Sequence, residues 1–510
     1  MKIKLIKLIE DELIKILKGK SLYLLIVILL VVIVYNVFTS VQNHNKITIY
    51  NKNRNSITQD ISIQLIEKEL IKLEEDSNEY ILQKSYLDFG KLYNTFKEDS
   101  WQRYALNEEI DFNYMENVYT DSNLDINELI KNINDYEINS NSKITLEKYQ
   151  DYKYKYNQYV TALKSNDWKL YINLKIKNLE EKKSLKNFLD KEKELIDFEI
   201  NTYKLRLKNN INFDYNIANE YLHEYRLNYY MYKHYSYLSE NYSESFIKNS
   251  RNKNVAKMNI LQYALENNII DQNISNENTL ISFDIKDARI NFIRIFKHFD
   301  IIFIIMVIYV SVISIAYEID KGTIKNLLIK PHRRSTILVS KIIACSITII
   351  IFIVLIILIQ YFVGGFVFGF ESYKLEYINY NFNTNEIVVL KLFNYIILLI
   401  ISKFPMYLMI ILFSIFICII SKNQVISMII ILTISLLGNT VFTELSKLEI
   451  ISAVTRFFIT NNWDFSVYLF GQVSAINGVN LRSSLVVYFI YTILLLVISF
   501  YYFNKKEINN

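Results

Sequence analysis

The chain contains uncharged apolar runs that are too long for the core helices of a soluble protein. The first run extends from Ser21 to Thr39, and further long runs recur between Ile301 and Phe503. A helix that crosses about 30 Å of hydrocarbon, at about 1.5 Å per residue, needs roughly 20 apolar residues. The sequence therefore predicts an integral membrane protein, in which the polar residues between Val41 and Lys297 form a separate domain outside the bilayer.

These runs predict about six transmembrane spans joined by segments of very different length. A cleaved signal peptide is the alternative for the first run, but no small-x-small cleavage site follows that run. The predicted spans are 21–40, 298–317, 342–364, 387–420, 425–442 and 484–503, and the segments that connect or flank them are 1–20, 41–297, 318–341, 365–386, 443–483 and 504–510.

The fourth region, 387–420, is too long for one ordinary span and contains Lys403. Either one long tilted helix carries Lys403 in the bilayer, or a short interfacial or re-entrant piece precedes a span over 404–420. We favour a single crossing with an interfacial lead-in. Because a buried lysine is costly, Lys403 should face protein, water or a headgroup, and Pro405 should kink the helix. Both a role in a transport pathway and snorkelling to a headgroup remain open for Lys403.

Lysine and arginine in the short loops predict the orientation of the chain. The first twenty residues contain six lysines, and further basic residues lie in 318–341, in the turn at Lys422 and in the tail after Phe503. With six spans, all four segments fall on one side, which we expect to be the cytoplasm. Both termini are then cytoplasmic, and the domain at 41–297 is extracellular.

Proline is absent between Val41 and Lys297, and Gly90 is the only glycine. Sheet-rich or loop-rich domains need these residues at turns, so their scarcity favours an all-α domain. Two apolar stripes at helical spacing predict long helices packed as hairpins or short coiled coils. The stripes are Ile63, Ile66, Leu70 and Leu73, and Leu185, Leu189, Ile196, Ile200, Tyr203 and Leu207, with turns expected at 139–142, 209–212 and 273–278.

The basic residues in excess lie close to the predicted spans. Residues 41–297 contain 36 basic and 39 acidic residues, whereas the remainder contains 21 basic and 13 acidic residues. This distribution favours contact with membrane lipid over a nucleic-acid interface. The only cysteines, Cys345 and Cys418, fall inside predicted spans, so they offer no disulfide framework to the outer domain.

Sequence motifs for catalysis are missing. The chain has no GxxxxGK[ST] phosphate loop, no HExxH pair and no glycine-flanked nucleophilic serine. The five histidines are not accompanied by the cysteines or further histidines of a zinc site. We therefore predict no catalytic residue, no metal and no cofactor in this chain.

Two segments on the expected cytoplasmic side are informative. In 1–20, an apolar stripe predicts an amphipathic helix on the inner leaflet, although a simple charged anchor is the alternative. In 318–341, Asp320 or Thr323 can cap a short helix that ends before Pro331. Such a helix between two spans can insert into a partner subunit, and an ordinary basic loop is the alternative. The N-terminal stripe consists of Leu5, Ile6, Ile9, Leu13, Ile16 and Leu17.

Two groups of motifs stand after the second predicted span and around the last one. The first group is Glu318, Gly322-Thr323-Ile324-Lys325, Leu327-Leu328, Pro331, Arg334, Ile337 and Ser340-Lys341, and the second is Asn462-Trp463-Asp464, Tyr468-Leu469-Phe470-Gly471 and Phe503-Asn504-Lys505-Lys506-Glu507-Ile508. The first group resembles the signature of ABC transporter type 2 permeases, and the second is similar to the endings of permeases in peptide-antibiotic export and immunity systems. The resemblance covers 1–40 and 300–510.

This resemblance implies a bacterial cell-membrane exporter. Two permease copies, identical or paralogous, would pair above two separate ATPase subunits, which would hold the ATP and Mg²⁺. The segment 1–20 would be a connecting helix, and Gly322 to Leu328, within the loop 318–341, would be the coupling helix that receives the ATPase movement. The coupling residues would be Glu318, Lys321, Gly322, Thr323, Ile324, Lys325, Leu327, Leu328 and Pro331.

The substrate path is expected along the dimer interface, with Lys403, Gly438, Asn439 and Thr440 as candidate residues. A small-residue helix contact is the alternative for the three residues at 438–440. The resemblance implies a hydrophobic or amphipathic substrate. A helical surface scaffold or receptor without an ATPase is the alternative function, and a sensor that signals to a kinase is a third.

Overall fold

Helices make up nearly all of the regular structure, so the predicted all-α polytopic fold is confirmed. The computed structural model divides into a membrane unit, made of Met1–Asn45, Tyr242–Asn249 and Ile281–Asn510, and a helical unit, made of Lys46–Asn241 and Ser250–Leu280. The described residues are 2–54, 63–73, 78–97, 100–107, 146–184, 190–213, 217–237, 244–267, 269, 287–297, 299–318, 333–445, 449–472, 474, 476 and 478–505.

Several helices of the described residues precede the second apolar region of the sequence. They are α1 (Lys2–Leu17), α2 (Lys20–Arg54), α3 (Ile63–Leu70), α4 (Asn78–Thr95), α5 (Leu146–Lys164), α6 (Trp168–Ser184), α7 (Asp190–Lys208), α8 (Ile217–Tyr237) and α9 (Glu244–Glu266), with a further helical turn at 101–107.

The core of the helical unit confirms part of the predicted apolar stripes. Ile196, Ile200 and Tyr203 of α7 are buried, together with side chains from α5 and α6. The chain then turns at 209–213, where Asn210 has a positive φ of 51°. The first stripe also forms a helix, α3, but none of its residues is buried. Leu185, Leu189 and the turns expected at 139–142 and 273–278 lie outside the described residues.

The remaining described elements belong to the membrane unit and are helices, short helical turns and one β-hairpin. They are α10 (Ala288–Lys297), α11 (Asp300–Val312), α12 (Arg334–Phe368), β1 (Glu376–Asn381), β2 (Glu386–Lys391), α13 (Leu392–Ser421), α14 (Gln424–Leu445), α15 (Glu449–Thr455) and α16 (Leu481–Lys505), with a π-helical turn at Ile313–Tyr317 and 3-10 turns at Phe370–Lys374, Ile459–Asn461 and Phe465–Gly471.

Four helices of the described chain, α12, α13, α14 and α16, are long and apolar enough to cross a membrane. The pair α10–α11, bent by 48°, gives a fifth span if it is counted as one. The first predicted span corresponds to α2, whose apolar described part is Ile26–Gln42. The predicted number of six thus corresponds to four unbroken spans, one broken span and this shorter apolar helix.

The region 365–391 differs from the outer loop and interfacial lead-in that the sequence suggested. β1 and β2 pair in antiparallel register from Glu376 opposite Lys391 to Asn381 opposite Glu386. The β-branched residues at 387–389 suit a strand. The helix α13 then runs unbroken past Pro405, and the hydroxyl of Tyr488 donates to the carbonyl of Pro405 over 3.1 Å.

Helix α13 lies at the centre of the membrane unit. It packs against α11, α14 and α16, and it is the most buried of the four unbroken spans. By contrast, α14 and α16 bury only a minor share of their residues within this chain. Such faces suit lipid or another protein chain, because water would not be a favourable neighbour for them.

Buried amides link α2 to two other helices of the membrane unit. The Asn36 amide of α2 donates to the carbonyl of Asn291 in α10 over 3.1 Å, and Asn291 donates to Ser40 over 2.8 Å. Gln360 of α12 donates to the side chain of Asn291. These bonds fix the relative rotation of three helices that apolar packing alone would leave free to slide.

Candidate functional site

The described part of the predicted coupling segment is its first residue, Glu318. Helix α11 continues through the π-helical turn Ile313–Tyr317, and Glu318 follows that turn directly. Helix α12 begins at Arg334. The other predicted coupling residues lie outside the described residues and remain predictions: Lys321, Gly322, Thr323, Ile324, Lys325, Leu327, Leu328 and Pro331.

Glu318 lies in a cluster of four charged side chains from α1, the end of the π-helical turn and α12. The ammonium nitrogen of Lys341 is 2.9 Å from Oε2 of Glu12 and 2.8 Å from Oε2 of Glu318. Lys341 also donates to the carbonyl of Ser314 over 2.6 Å. Nζ of Lys15 lies 3.0 Å from Glu12 and 2.9 Å from Glu318. We call Glu12, Lys15, Glu318 and Lys341 the junction cluster.

The four charges of the junction cluster balance, although most of them are buried. Lys341 is fully buried, Glu12 is buried, and only Lys15 is half exposed. Burial favours the neutral form of Glu318, but Lys341 and Lys15 outweigh it and hold the pKa of Glu318 below its ordinary value. Burial likewise opposes the charge on Lys15, yet Glu318 and Glu12 raise the pKa of Lys15. Both shifts favour the charged forms of Glu318 and Lys15.

The burial of Glu12 places a charged residue on the face by which α1 packs on α12. Leu8, Glu12 and Ile16 lie four residues apart and are buried where α1 packs on α12. Ile6 and Leu17, which the sequence analysis put in the same stripe as Ile16, are exposed. In the sequence, the sign of this burial is that Glu12 lies four residues from Leu8 and four from Ile16, on the same side of the helix. A carboxylate in that position indicates either a polar gap in the packed face or a buried ion pair.

A second charged cluster surrounds Lys403, the candidate pathway residue of α13. Its ammonium nitrogen is 2.5 Å from Oδ2 of Asp300, the first residue of α11, and 3.9 Å from Oδ2 of Asp464. The hydroxyl of Tyr407 donates to Oδ1 of Asp300 over 2.8 Å. The side chain of Lys403 is only 7% exposed, so in this structure it faces protein and does not snorkel.

The sequence analysis did not identify Asp300 and Asp464 as partners of Lys403. Asp300 stands at the N-terminus of α11, where the helix dipole favours a negative charge. Asp464 begins the 3-10 turn Phe465–Gly471 and accepts from the backbone N–H and hydroxyl of Ser466. A lone acidic residue near the start of the predicted span 298–317 was the one signal available for Asp300, since both contacts join residues more than 60 positions apart.

The other candidate pathway residues lie on α14, in a different setting from Lys403. Gly438 is buried against Thr460, and a Cβ added at 438 would lie 2.6 Å from the Thr460 methyl carbon. Asn439 and Thr440 are exposed on the same helix, and Asn439 accepts from the hydroxyl of Thr443 over 3.3 Å. Gly438 thus makes a close helix contact, whereas its two neighbours are available to lipid or to another chain.

Within the part of the chain that the structure describes, no group of three or more His, Cys, Asp or Glu side chains is placed to hold a metal ion. Cys345 and Cys418 are both free and buried. The charged side chains of the two clusters described above are paired with one another.

Residues 6–508 match the family described as ABC-2 family transporter protein. The chain belongs to the ABC-2 transporter family. The match covers the helical unit as well as the membrane unit, whereas the resemblance seen in the sequence was confined to 1–40 and 300–510. Members of the ABC-2 family are the membrane components of ABC transporters and are usually not catalytic themselves. No curated protein and no solved structure matches the chain.

Proposed function

We propose that this ABC-2 protein is the permease subunit of an ATP-driven exporter that works as a dimer with two separate ATPase subunits. The observation that carries the proposal is the family match over nearly the whole chain. It is supported by the position of residues 319–332 in the sequence, between the broken span α10–α11 and the unbroken span α12. A segment between two spans is expected to lie at one membrane surface, where a partner can reach it.

In this proposal, residues 318–331 receive the movement of the ATPase, and the ATP and Mg²⁺ belong to the ATPase chain. Binding of ATP would draw two ATPase subunits together and shift the permease between inward-open and outward-open arrangements. The abundance of lysine and arginine in 1–20 and 318–341 supports a cytoplasmic location for both segments. The protein would then lie in a bacterial cell membrane with both termini in the cytoplasm.

The second permease copy is proposed to cover the exposed face of α14. Asn439 and Thr440 lie on that face, and polar side chains that face lipid are less favourable than polar side chains at a helix interface. The substrate path would follow this interface. An identical copy and a paralogous copy would both offer an apolar helix face, so either could cover α14.

The proposed substrate is hydrophobic or amphipathic, and the proposed direction of transport is outward. This follows from the similarity to permeases of peptide-antibiotic export and immunity. Cells that lack the chain should become more sensitive to at least one amphipathic peptide or lipid-like compound, and the wild-type gene should restore tolerance. Unchanged tolerance and unchanged efflux across such a panel would contradict this part of the proposal.

Co-purification from mild-detergent membranes tests the partnership with an ATPase. The wild-type chain is compared with a Gly322→Pro, Leu327→Asp variant, which breaks the predicted coupling helix and its apolar side. The matched control is Glu507→Pro, Ile508→Asp, which makes the same kind of changes in the C-terminal tail. We expect an ATP-binding protein with the wild type and the control but not with the coupling variant. If no ATPase accompanies intact wild-type protein, the scaffold function is favoured instead.

A further inference from the structure

We propose that Lys341 is a positioning residue that makes α1, the end of α11 and the start of α12 move as one body when the coupling segment is displaced. The inference rests on the proposed function and adds to it the route by which movement enters the membrane unit. The lysine acts through its contacts with Glu12 and Glu318, not through contact with substrate or ATP.

The geometry supports this role because Lys341 is the junction-cluster residue supplied by α12. Its ammonium group reaches α1 through Glu12 and the end of the second span through Glu318. Lys15 also contacts both carboxylates, but it belongs to α1 and therefore adds no link to α12. Removing the charge of Lys341 would thus detach α12 from the cluster while leaving α1 joined to Glu318.

The π-helical turn adds a second contact at the same place. Lys341 donates to the carbonyl of Ser314, which lies inside this turn, and one helical turn further along α12 the thiol of Cys345 donates to the Ser314 hydroxyl over 3.4 Å. A π-helical turn has a wider hydrogen-bonding pattern than the α-helix around it, and such turns are frequent at functional sites. Here the turn is bound side-on by α12, directly before the coupling segment begins.

Energetics argue that these charges fix a geometry rather than add stability. Placing a fully buried ammonium costs several kcal/mol in desolvation, and well-packed apolar residues of similar size are often equally stable. An ion pair with two carboxylates does what apolar packing does not, because it specifies one register between helices. A register that holds under load is what transmission of movement requires.

The test uses the permease–ATPase complex in lipid nanodiscs with a reporter cysteine at the far end of α12. Phe366→Cys is suitable, since Phe366 is exposed and lies about 37 Å along the helix from Lys341. Labelling by a membrane-impermeant maleimide is timed with and without a non-hydrolysable ATP analogue and Mg²⁺. The native cysteines are buried and give little background.

Two further changes are introduced into the reporter protein. Glu12→Gln with Lys341→Met removes the link to α12 without leaving an unpaired charge in the cluster, because Lys15 and Glu318 stay paired, and this guards against misfolding. Lys15→Met is the matched control, because it also replaces a lysine that contacts Glu12 and Glu318 but leaves Lys341 in place. The amount of ATPase that co-purifies is measured for every variant.

We expect nucleotide to change the labelling rate in the reporter protein and in the Lys15→Met control. In the Glu12→Gln, Lys341→Met variant, the ratio of rates with and without nucleotide should fall to about one, because α12 no longer distinguishes the two states, while the ATPase stays bound. A wild-type nucleotide response in that variant would overturn the inference, as would loss of its ATPase or a missing response in the reporter protein. Failure of wild-type protein to bind any ATPase would instead overturn the proposed function itself.

Discussion

Replacing Lys403 by methionine should weaken the membrane unit more than its volume change suggests. Methionine keeps most of the length of the side chain but removes the ammonium group that lies 2.5 Å from Asp300. Asp300 is 18% exposed and contacts both Lys403 and Tyr407. Of these two contacts, the variant would keep only the hydrogen bond from Tyr407. Breaking a buried pair by removing one partner costs about 3–5 kcal/mol, and the partial exposure of Asp300 places this variant near 3 kcal/mol.

The double variant Asp300→Asn, Lys403→Met should recover much of that loss. Asparagine accepts the same hydrogen bond from Tyr407, and no uncompensated charge stays behind at the pair. We expect the double variant to lie within about 1.5 kcal/mol of the wild type. The control is Lys374→Met, which removes an ion pair with Glu371 that is exposed on both sides and should change stability by less than about 1 kcal/mol.

The unfolding of the membrane unit can be followed through its own cysteines. Cys345 and Cys418 are buried and are the only cysteines of the chain, so a thiol-reactive fluorogenic dye reports their exposure on heating. At roughly 2 °C per kcal/mol for a unit of this size, Lys403→Met should lower the midpoint by about 6 °C. A midpoint for Lys403→Met that matches the Lys374→Met control would refute the reasoning, as would a double variant no more stable than the single one.

Three further predictions concern packing and pH. Gly438→Ala should destabilise the membrane unit by about 1–3 kcal/mol through overpacking against Thr460, and Thr460→Ser should relieve it, as read by the same dye. Leu222→Ala should lower the helix-melting midpoint by circular dichroism, at about 2–5 kcal/mol for a fully buried leucine, whereas exposed Leu170→Ala should stay within about 0.5 kcal/mol. Burial and nearby Glu266 raise the pKa of Tyr225 from 10.0 to about 12. Its stabilisation is therefore complete below pH 10 and lost as pH rises toward 12, and a Tyr225→Phe variant should show a smaller loss in an alkaline titration.

Apolar run length and helical spacing were sufficient for much of the fold. The runs correspond to α12, α13, α14 and α16, because a bilayer imposes its thickness on any helix that crosses it. In the helical unit, the spacing of Ile196, Ile200 and Tyr203 predicted a buried face that the structure contains. These features depend on residues within a few helical turns of one another, so they can be predicted from the local sequence.

The hairpin at 376–391 could not be separated from the helix that follows it. Residues 387–391 continue without a break into the apolar residues of α13, and a short apolar run is compatible with strand or helix. Its pairing with β1 decides the outcome, and that pairing is a contact between two segments that the sequence does not mark as partners.

The sequence did not predict the two charged clusters either, because they also depend on contacts between distant segments. Glu12 and Lys341 are 329 positions apart, and Asp300 and Lys403 are 103 apart, so no local pattern joins them. The sequence indicated Lys403 as unusual because a lysine in an apolar region requires an explanation. It did not indicate which carboxylate provides it, since that depends on how α11 packs against α13.

Site-specific photo-crosslinking at Leu327 tests the proposed partnership most directly. A photoreactive amino acid is placed at Leu327 or, as a control, at Ile508, and intact membranes are irradiated before any detergent is added. The account predicts a crosslink from Leu327, but not from Ile508, to a separate chain that binds ATP. Crosslinks from Leu327 to lipid alone, in membranes where the chain is assembled and stable, would contradict it.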